Sequence, residues 1–180
     1  MVVSTVNLVL SSLTLITGIL IVLFLFAYLI LKIRKNKKGL VKFNKFIKDR
    51  GVLFVFLISL AALIGSLFFS EFAKYGVCTL CWYQRILMYP LVLISGVMLF
   101  KRSRDFLFVI IPMSAIGITV SLYHYLIQVL PSDAICDANG VSCVTKPFLT
   151  FGYISIPMMA FTAFLAIFLI SIFLLRQKKI

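Results

Sequence analysis

Five apolar runs, each near the roughly 20 residues that cross a bilayer as a helix, dictate what this chain can fold into. They cover residues 8–31, 52–70, 82–100, 106–127 and 154–175, and Arg85 is the one formal charge inside them. Hydrophobic residues fill 63% of the 180 positions, against about 45–50% in soluble domains. A single soluble core of this length cannot hide that much apolar surface. The runs are therefore read as spans of an all-α membrane protein, whose backbone polar groups are satisfied within each helix. The segments between them are too short to form a separate soluble domain.

The net charge of +13 acquires its meaning from placement. Fifteen of the eighteen Lys and Arg residues fall in 32–51, 101–105 and 176–179, all on one side of the spans; the others are Lys74, Arg85 and Lys146. Positive residues mark the cytoplasmic side. The N-terminus is then outside, the C-terminus cytoplasmic, and loops 71–81 and 128–153 face outward. A basic run beside a span is a topology signal and a contact for anionic lipid, so a lipid bilayer is the expected partner and nucleic acid is not. Residues 1–7 lack the Lys or Arg of a secretory leader, and the first run is expected to stay as a true span. Residues 32–51 are expected to be a basic linker, within which 42–48 can form a short interfacial helix. Pro90 and Pro112 fall inside spans, where each removes an amide donor and is read as a packing kink.

All four cysteines lie in the two outward loops, where disulfides persist. Cys78 and Cys81 are two residues apart at the start of the third span, a spacing that supports an exchangeable disulfide. Unpaired amides and the helix dipole favour an anion there. Arg85, four residues on along the same face, adds its charge in favour of a Cys81 thiolate. A guanidinium inside a span costs about 2.5–3.5 kcal/mol at the helix centre and less near the interface. Arg85 is read either as a side chain snorkelling to the headgroups or as the partner of a thiolate or a bound anionic oxygen.

Cys136 and Cys143 form the second pair and bracket Asn139-Gly140, a strong turn signal. This pair is either a static staple or an exchange-active bond; the latter is preferred, because a wet loop has no core to protect. Four cysteines allow three connectivities. Structural zinc is the competing use of such ligands, but an extracytoplasmic thiol cluster is open to oxidation, and no metal is expected. His124, between Tyr123 and Tyr125, is expected at the depth of Cys81 and Arg85, as a hydrogen-bonded polar residue or as part of one site with them. Trp82, Tyr83 and Tyr89 are read as an interfacial belt or as walls of a ring-binding pocket.

Thiol oxidation needs an electron acceptor, and a bilayer offers a lipid-soluble quinone. The chain has neither a dinucleotide-binding glycine turn nor a Cys-x-x-Cys-His haem motif, which favours such an acceptor beside Cys81. Through Cys78-Thr79-Leu80-Cys81-Trp82-Tyr83-Gln84-Arg85, Ser121-Leu122-Tyr123-His124-Tyr125 and the second loop pair, the sequence resembles the DsbB/BdbC family of membrane thiol oxidases. The likeness covers about residues 46–180 and leans to the BdbC-like branch.

The resemblance implies a four-helix transmembrane bundle over residues 52–180, to which residues 1–51 add an N-terminal transmembrane helix and a basic cytoplasmic linker. It implies a protein-dithiol:quinone oxidoreductase of the bacterial plasma membrane. This would reoxidise an extracytoplasmic thioredoxin-fold thiol oxidase of the DsbA/BdbD kind, with menaquinone favoured over ubiquinone. By motif position, Cys136 receives attack from the partner's thiolate and Cys143 is its loop mate. Electrons then pass to Cys78 and Cys81, with Cys81 next to the quinone, and Arg85 matches the family arginine implicated in quinone binding. His124 corresponds through its place on the penultimate helix. The first span and the close spacing of Cys136 and Cys143 depart from the family pattern. Two other functions compete: a reverse-direction or vitamin-K-epoxide-reductase-like conduit, and a non-enzymatic membrane assembly factor whose activity would survive loss of every cysteine.

Overall fold

The computed structural model describes residues 2–34, 37–130 and 142–178. They form α1 (Val2–Ile33), α2 (Lys37–Leu67), α3 (Thr79–Lys101), α4 (Leu107–Val129) and α5 (Ile156–Lys178). All five helices are long and apolar enough to cross a membrane. Among the described residues the only β-pairing is an isolated bridge between Thr150 and Ile154. The expected class therefore holds: an all-α membrane protein in which α2 to α5 make a bundle and α1 is added to it. Within the bundle α2 packs on α3 and α5, and α4 packs on α3 and α5, while α1 lies against α2 and α5.

Helices in lipid gain little from apolar burial against one another, so close packing of small residues decides where they meet. Gly117 of α4 faces the fully buried Phe164 of α5, and a Cβ there would come within 2.4 Å of the ring. Ser59 and Ser95 meet across α2 and α3 at 3.4 Å. Ser95, Ser114 and Ser121 each return their hydroxyl to the carbonyl four residues back, at 2.6, 2.7 and 2.6 Å. Every buried hydroxyl so engaged avoids the cost of an unpaired polar group in hydrocarbon.

The basic segment differs from the linker expected of it. From Lys37 onward it is already α2, one helix continuous with the second span, and the 51/52 boundary falls inside that helix. Tertiary packing overrides the two glycines. Ile47 is buried, Phe43 packs on Phe24 and Tyr28 of α1 at ring separations of 4.8 and 6.1 Å, and Gly51 admits Leu174. The Arg104 guanidinium also donates to the Lys48 carbonyl, fastening the short turn after α3 to this end of α2. That turn closes on Arg102, left-handed at φ 50°, with the Ser103 N–H reaching the Met98 carbonyl at 3.2 Å. It leaves α3 and α4 as antiparallel neighbours.

At the opposite end α2 runs into a π-helical turn, Phe68–Phe72. Buried Phe69 then stacks on Tyr75 at 6.0 Å and meets Phe148 at 5.5 Å. This aromatic cluster joins the segment before α3 to the segment before α5, and it stands beside the cysteines. Cys136, Pro131, Asp133 and the Asn139-Gly140 turn lie outside the described residues.

Candidate thiol redox site

Cys78 is the residue just before α3, in extended conformation, and Cys81 occupies the first helical turn. Three residues along one turn face the same way, and the two sulfurs stand 3.2 Å apart. From α4, His124 brings Nε2 to 3.7 Å from Cys78 Sγ and to 3.1 Å from the Cys143 carbonyl. Its Nδ1 is 3.1 Å from the Gln84 side-chain nitrogen. A carbonyl only accepts, so Nε2 carries the proton, and the Gln84 amide donates to Nδ1. Gln128, one turn beyond His124, donates to the carbonyls of Cys143 and Thr145 at 3.4 and 3.2 Å. Two polar residues of α4 thus hold the segment 142–145 against the start of α3.

The result is one cluster of sulfurs. The Cys143 thiol reaches hydrogen-bonding range of Cys78, so a member of the second pair meets the first. Cys78, Cys81, His124, Gln128 and Cys143 line a small cavity of about 80 Å³. Sγ of Cys78, Sγ of Cys81 and a ring nitrogen of His124 lie within 4.8 Å of one another, which is a spacing zinc accepts. The nitrogen nearest the thiols already directs its proton to the Cys143 carbonyl, however, and offers a metal no lone pair.

Cys78 itself is buried, with 3% of its surface exposed. Its thiol is pushed up to about 12, first by the hydrogen bond it shares with Cys81 and next by burial, while His124 and Cys143 pull the other way. The shared proton therefore stays on Cys78 throughout the physiological range. A raised value is lost when its main cause is removed. In the reduced protein, Cys81→Ala is expected to move the pH midpoint of Cys78 alkylation downward and to raise its alkylation rate at pH 8 by about tenfold or more, one pKa unit being a factor of ten in thiolate. Peptide mass spectrometry of Cys78 over a pH series checks this, and an unchanged midpoint would contradict it.

Arg85 turns away from the thiols toward α2. Its Nε donates to Ser66 Oγ at 2.9 Å and its Nη2 to the Ser66 carbonyl at 2.8 Å. Its guanidinium lies 5.4 Å from the centre of the Trp82 ring, within cation–π range. Ser66 thus engages Nε and Nη2 of the guanidinium. Arg85 also borders a second, larger cavity of about 320 Å³, walled mainly by apolar side chains of α1, α2 and α5 and by Cys81, Gln84, Met88 and Tyr89 of α3. Among the described cysteines, Cys81 alone borders both cavities.

The structure brings Cys78, Cys81, Cys143 and His124 together, with Arg85 in the adjoining chamber. Trp82 and Tyr83 are 51% and 52% exposed and do not line that chamber; Trp82 touches it only through Arg85. Gln84, Gln128 and Ser66 belong to the site and were not singled out from sequence. The signal for the two glutamines was spacing: Gln84 follows Cys81 by three residues, and Gln128 follows His124 by four.

A helical membrane protein whose thiols converge at one end of the bundle, beside an apolar chamber, defines a class of membrane thiol-redox proteins. The chain belongs to the DsbB family: residues 48–174 match the family described as Disulfide bond formation protein DsbB. It is 47% identical over 124 residues to the Probable disulfide formation protein C of Halalkalibacterium halodurans, covering 68% of this chain and 90% of the relative. It is 45% identical over 130 residues to the Probable disulfide formation protein of Oceanobacillus iheyensis, covering 71% and 90%. Against the Disulfide bond formation protein C of Bacillus subtilis, identity is 42% over 125 residues, covering 68% and 91%. No solved structure matches. Membership makes this a multi-pass bacterial membrane protein of thiol oxidation in disulfide bond formation.

Proposed function

We propose that the protein is a thiol:quinone oxidoreductase that reoxidises an extracytoplasmic thioredoxin-fold thiol oxidase. The observation that carries this reading is the position of Cys81 between two cavities, one lined by sulfur and His124, the other apolar and bordered by Arg85. The cysteine end faces outward in this reading, because the basic residues cluster at the other end of the bundle. The partner's dithiol reduces the loop pair Cys136 and Cys143, and the loop pair reduces Cys78–Cys81 by thiol–disulfide exchange. The nearness of Cys143 to Cys78 supports that transfer.

In balance, one sulfur–sulfur bond forms in the partner for each quinone that becomes a quinol, with two electrons and two protons transferred. A bound quinone supplies a lipid-soluble acceptor for that pair of electrons. The chamber fits such a group: apolar walls suit its ring and the start of its tail, and Nη1 of Arg85 suits a ring oxygen. Cys81 presents the reducing sulfur at the chamber wall. His124, held by Gln84, directs Nε2–H between the Cys143 carbonyl and Cys78 Sγ, and so stabilises negative charge on Cys78 as it develops. Menaquinone is favoured over ubiquinone on the BdbC-like resemblance. The purified protein, mixed anaerobically with excess reduced thioredoxin-fold partner, is expected to oxidise many equivalents when quinone is supplied and no more than its own disulfide content without it. Turnover that ignores quinone would overturn the proposal.

A further inference from the structure

The helix that the family match leaves out contributes a wall to the chamber. The match begins at residue 48, whereas α1 ends at Ile33. Most of α1 faces lipid: Leu8, Val9, Ile16, Ile19 and Leu20 are all half exposed or more. One face is different. Leu10, Thr14 and Thr17, spaced as neighbours along one side of a helix with half-exposed Leu13 at its edge, line the same cavity as Cys81 and Arg85.

Two contacts fix α1 in that place. Asn7 donates to the Tyr75 hydroxyl at 3.1 Å, at the cysteine end. Leu10 lies so close over Gly65 that an added Cβ would meet it at 3.3 Å. The hydroxyls of Thr14 and Thr17 are bonded within α1 itself, to the carbonyls of Leu10 and Leu13 at 2.8 and 2.7 Å. Among the described residues they make no bond to the bundle, so their contribution to the chamber is shape.

We infer that α1 is a specificity wall of the quinone site: Thr14 and Thr17 set the room left for the quinone ring and proximal tail and close the α2–α5 side of the chamber to bulk lipid. This rests on the reading of the chamber as a quinone site. Small β-branched residues at these two positions leave space that a larger side chain would fill. Since neither hydroxyl bonds outside α1, changing them does not unpin the helix.

The test uses the full-length protein and a short-tailed quinone. The chain has a single tryptophan, Trp82, whose ring lies against the chamber residue Arg85, so a change in its fluorescence reports binding apart from turnover. Thr14→Phe and Thr17→Phe are each expected to raise the quinone Kd by tenfold or more, whereas Thr14→Val, matched in volume, leaves it within twofold. Disulfide exchange with the reduced partner, measured without quinone, should be unchanged in all three, which separates a filled chamber from a damaged fold. If both Phe variants bind quinone like the wild type while Arg85→Met binds it poorly, the role of α1 is wrong and the quinone site stands. If the wild type itself binds no quinone, both readings fall.

Discussion

Cys81→Ser is expected to cut quinone reduction by about a thousandfold or more, the scale on which loss of a covalent reacting group is felt. Serine has nearly the size of cysteine, and its hydroxyl still reaches Cys78, so the fold has little reason to change. It cannot form the disulfide, and it removes the one described cysteine that borders the apolar chamber. Electrons would then stop at the outer cluster. Because the Cys143 thiol reaches Cys78, the variant should accumulate a Cys78–Cys143 disulfide, visible by mass spectrometry of the alkylated, non-reduced protein. Full quinone reduction by Cys81→Ser would eliminate the mechanism.

Arg85→Met carries the second large effect. Methionine keeps much of the length but removes the charge and both bonds to Ser66. A hydrogen bond to a charged group contributes about 1.5–3 kcal/mol, and each 1.4 kcal/mol is about tenfold in affinity. The Kd for a short-tailed quinone should therefore rise about 10- to 100-fold, with exchange between the partner and the loop cysteines preserved. Arg85→Lys should recover only part of the affinity, because a point charge cannot hold Ser66 through two nitrogens and present a third. Affinity equal to wild type in Arg85→Met would show that the guanidinium only braces α2.

Much of this arrangement is legible in the sequence. Spans are set by runs of apolar residues, and those survive almost unaltered because no other environment accepts them. The beginning of α2 was not legible: lysines with two glycines read as a linker, and only contacts of Phe43, Ile47 and Gly51 with α1 and α5 make the segment one helix with the span. Ser66 as the partner of Arg85 was hidden for a similar reason. It depends on where α2 passes α3, and no local pattern encodes that. The two aromatics next to Cys81 are more instructive. Successive helical residues diverge by about 100°, so Cys81, Gln84, Arg85 and Met88 share a face and Tyr83 points away from it, while Trp82 lies at its edge, one turn before Arg85. Periodicity identifies Gln84 as a site residue and takes Tyr83 off the chamber wall, whereas Trp82 is left out by its place at the start of α3.

The coupling of sulfur to quinone is tested most directly by counting electrons in a single anaerobic mixing experiment. Purified protein holding one equivalent of quinone is mixed with reduced thioredoxin-fold partner, the quinone absorbance is followed, and the partner's thiols are titrated after quenching. One quinol should appear for each partner disulfide, and Cys81→Ser should abolish the absorbance change. Disulfides formed in the partner while the quinone stays oxidised would contradict the mechanism at its centre.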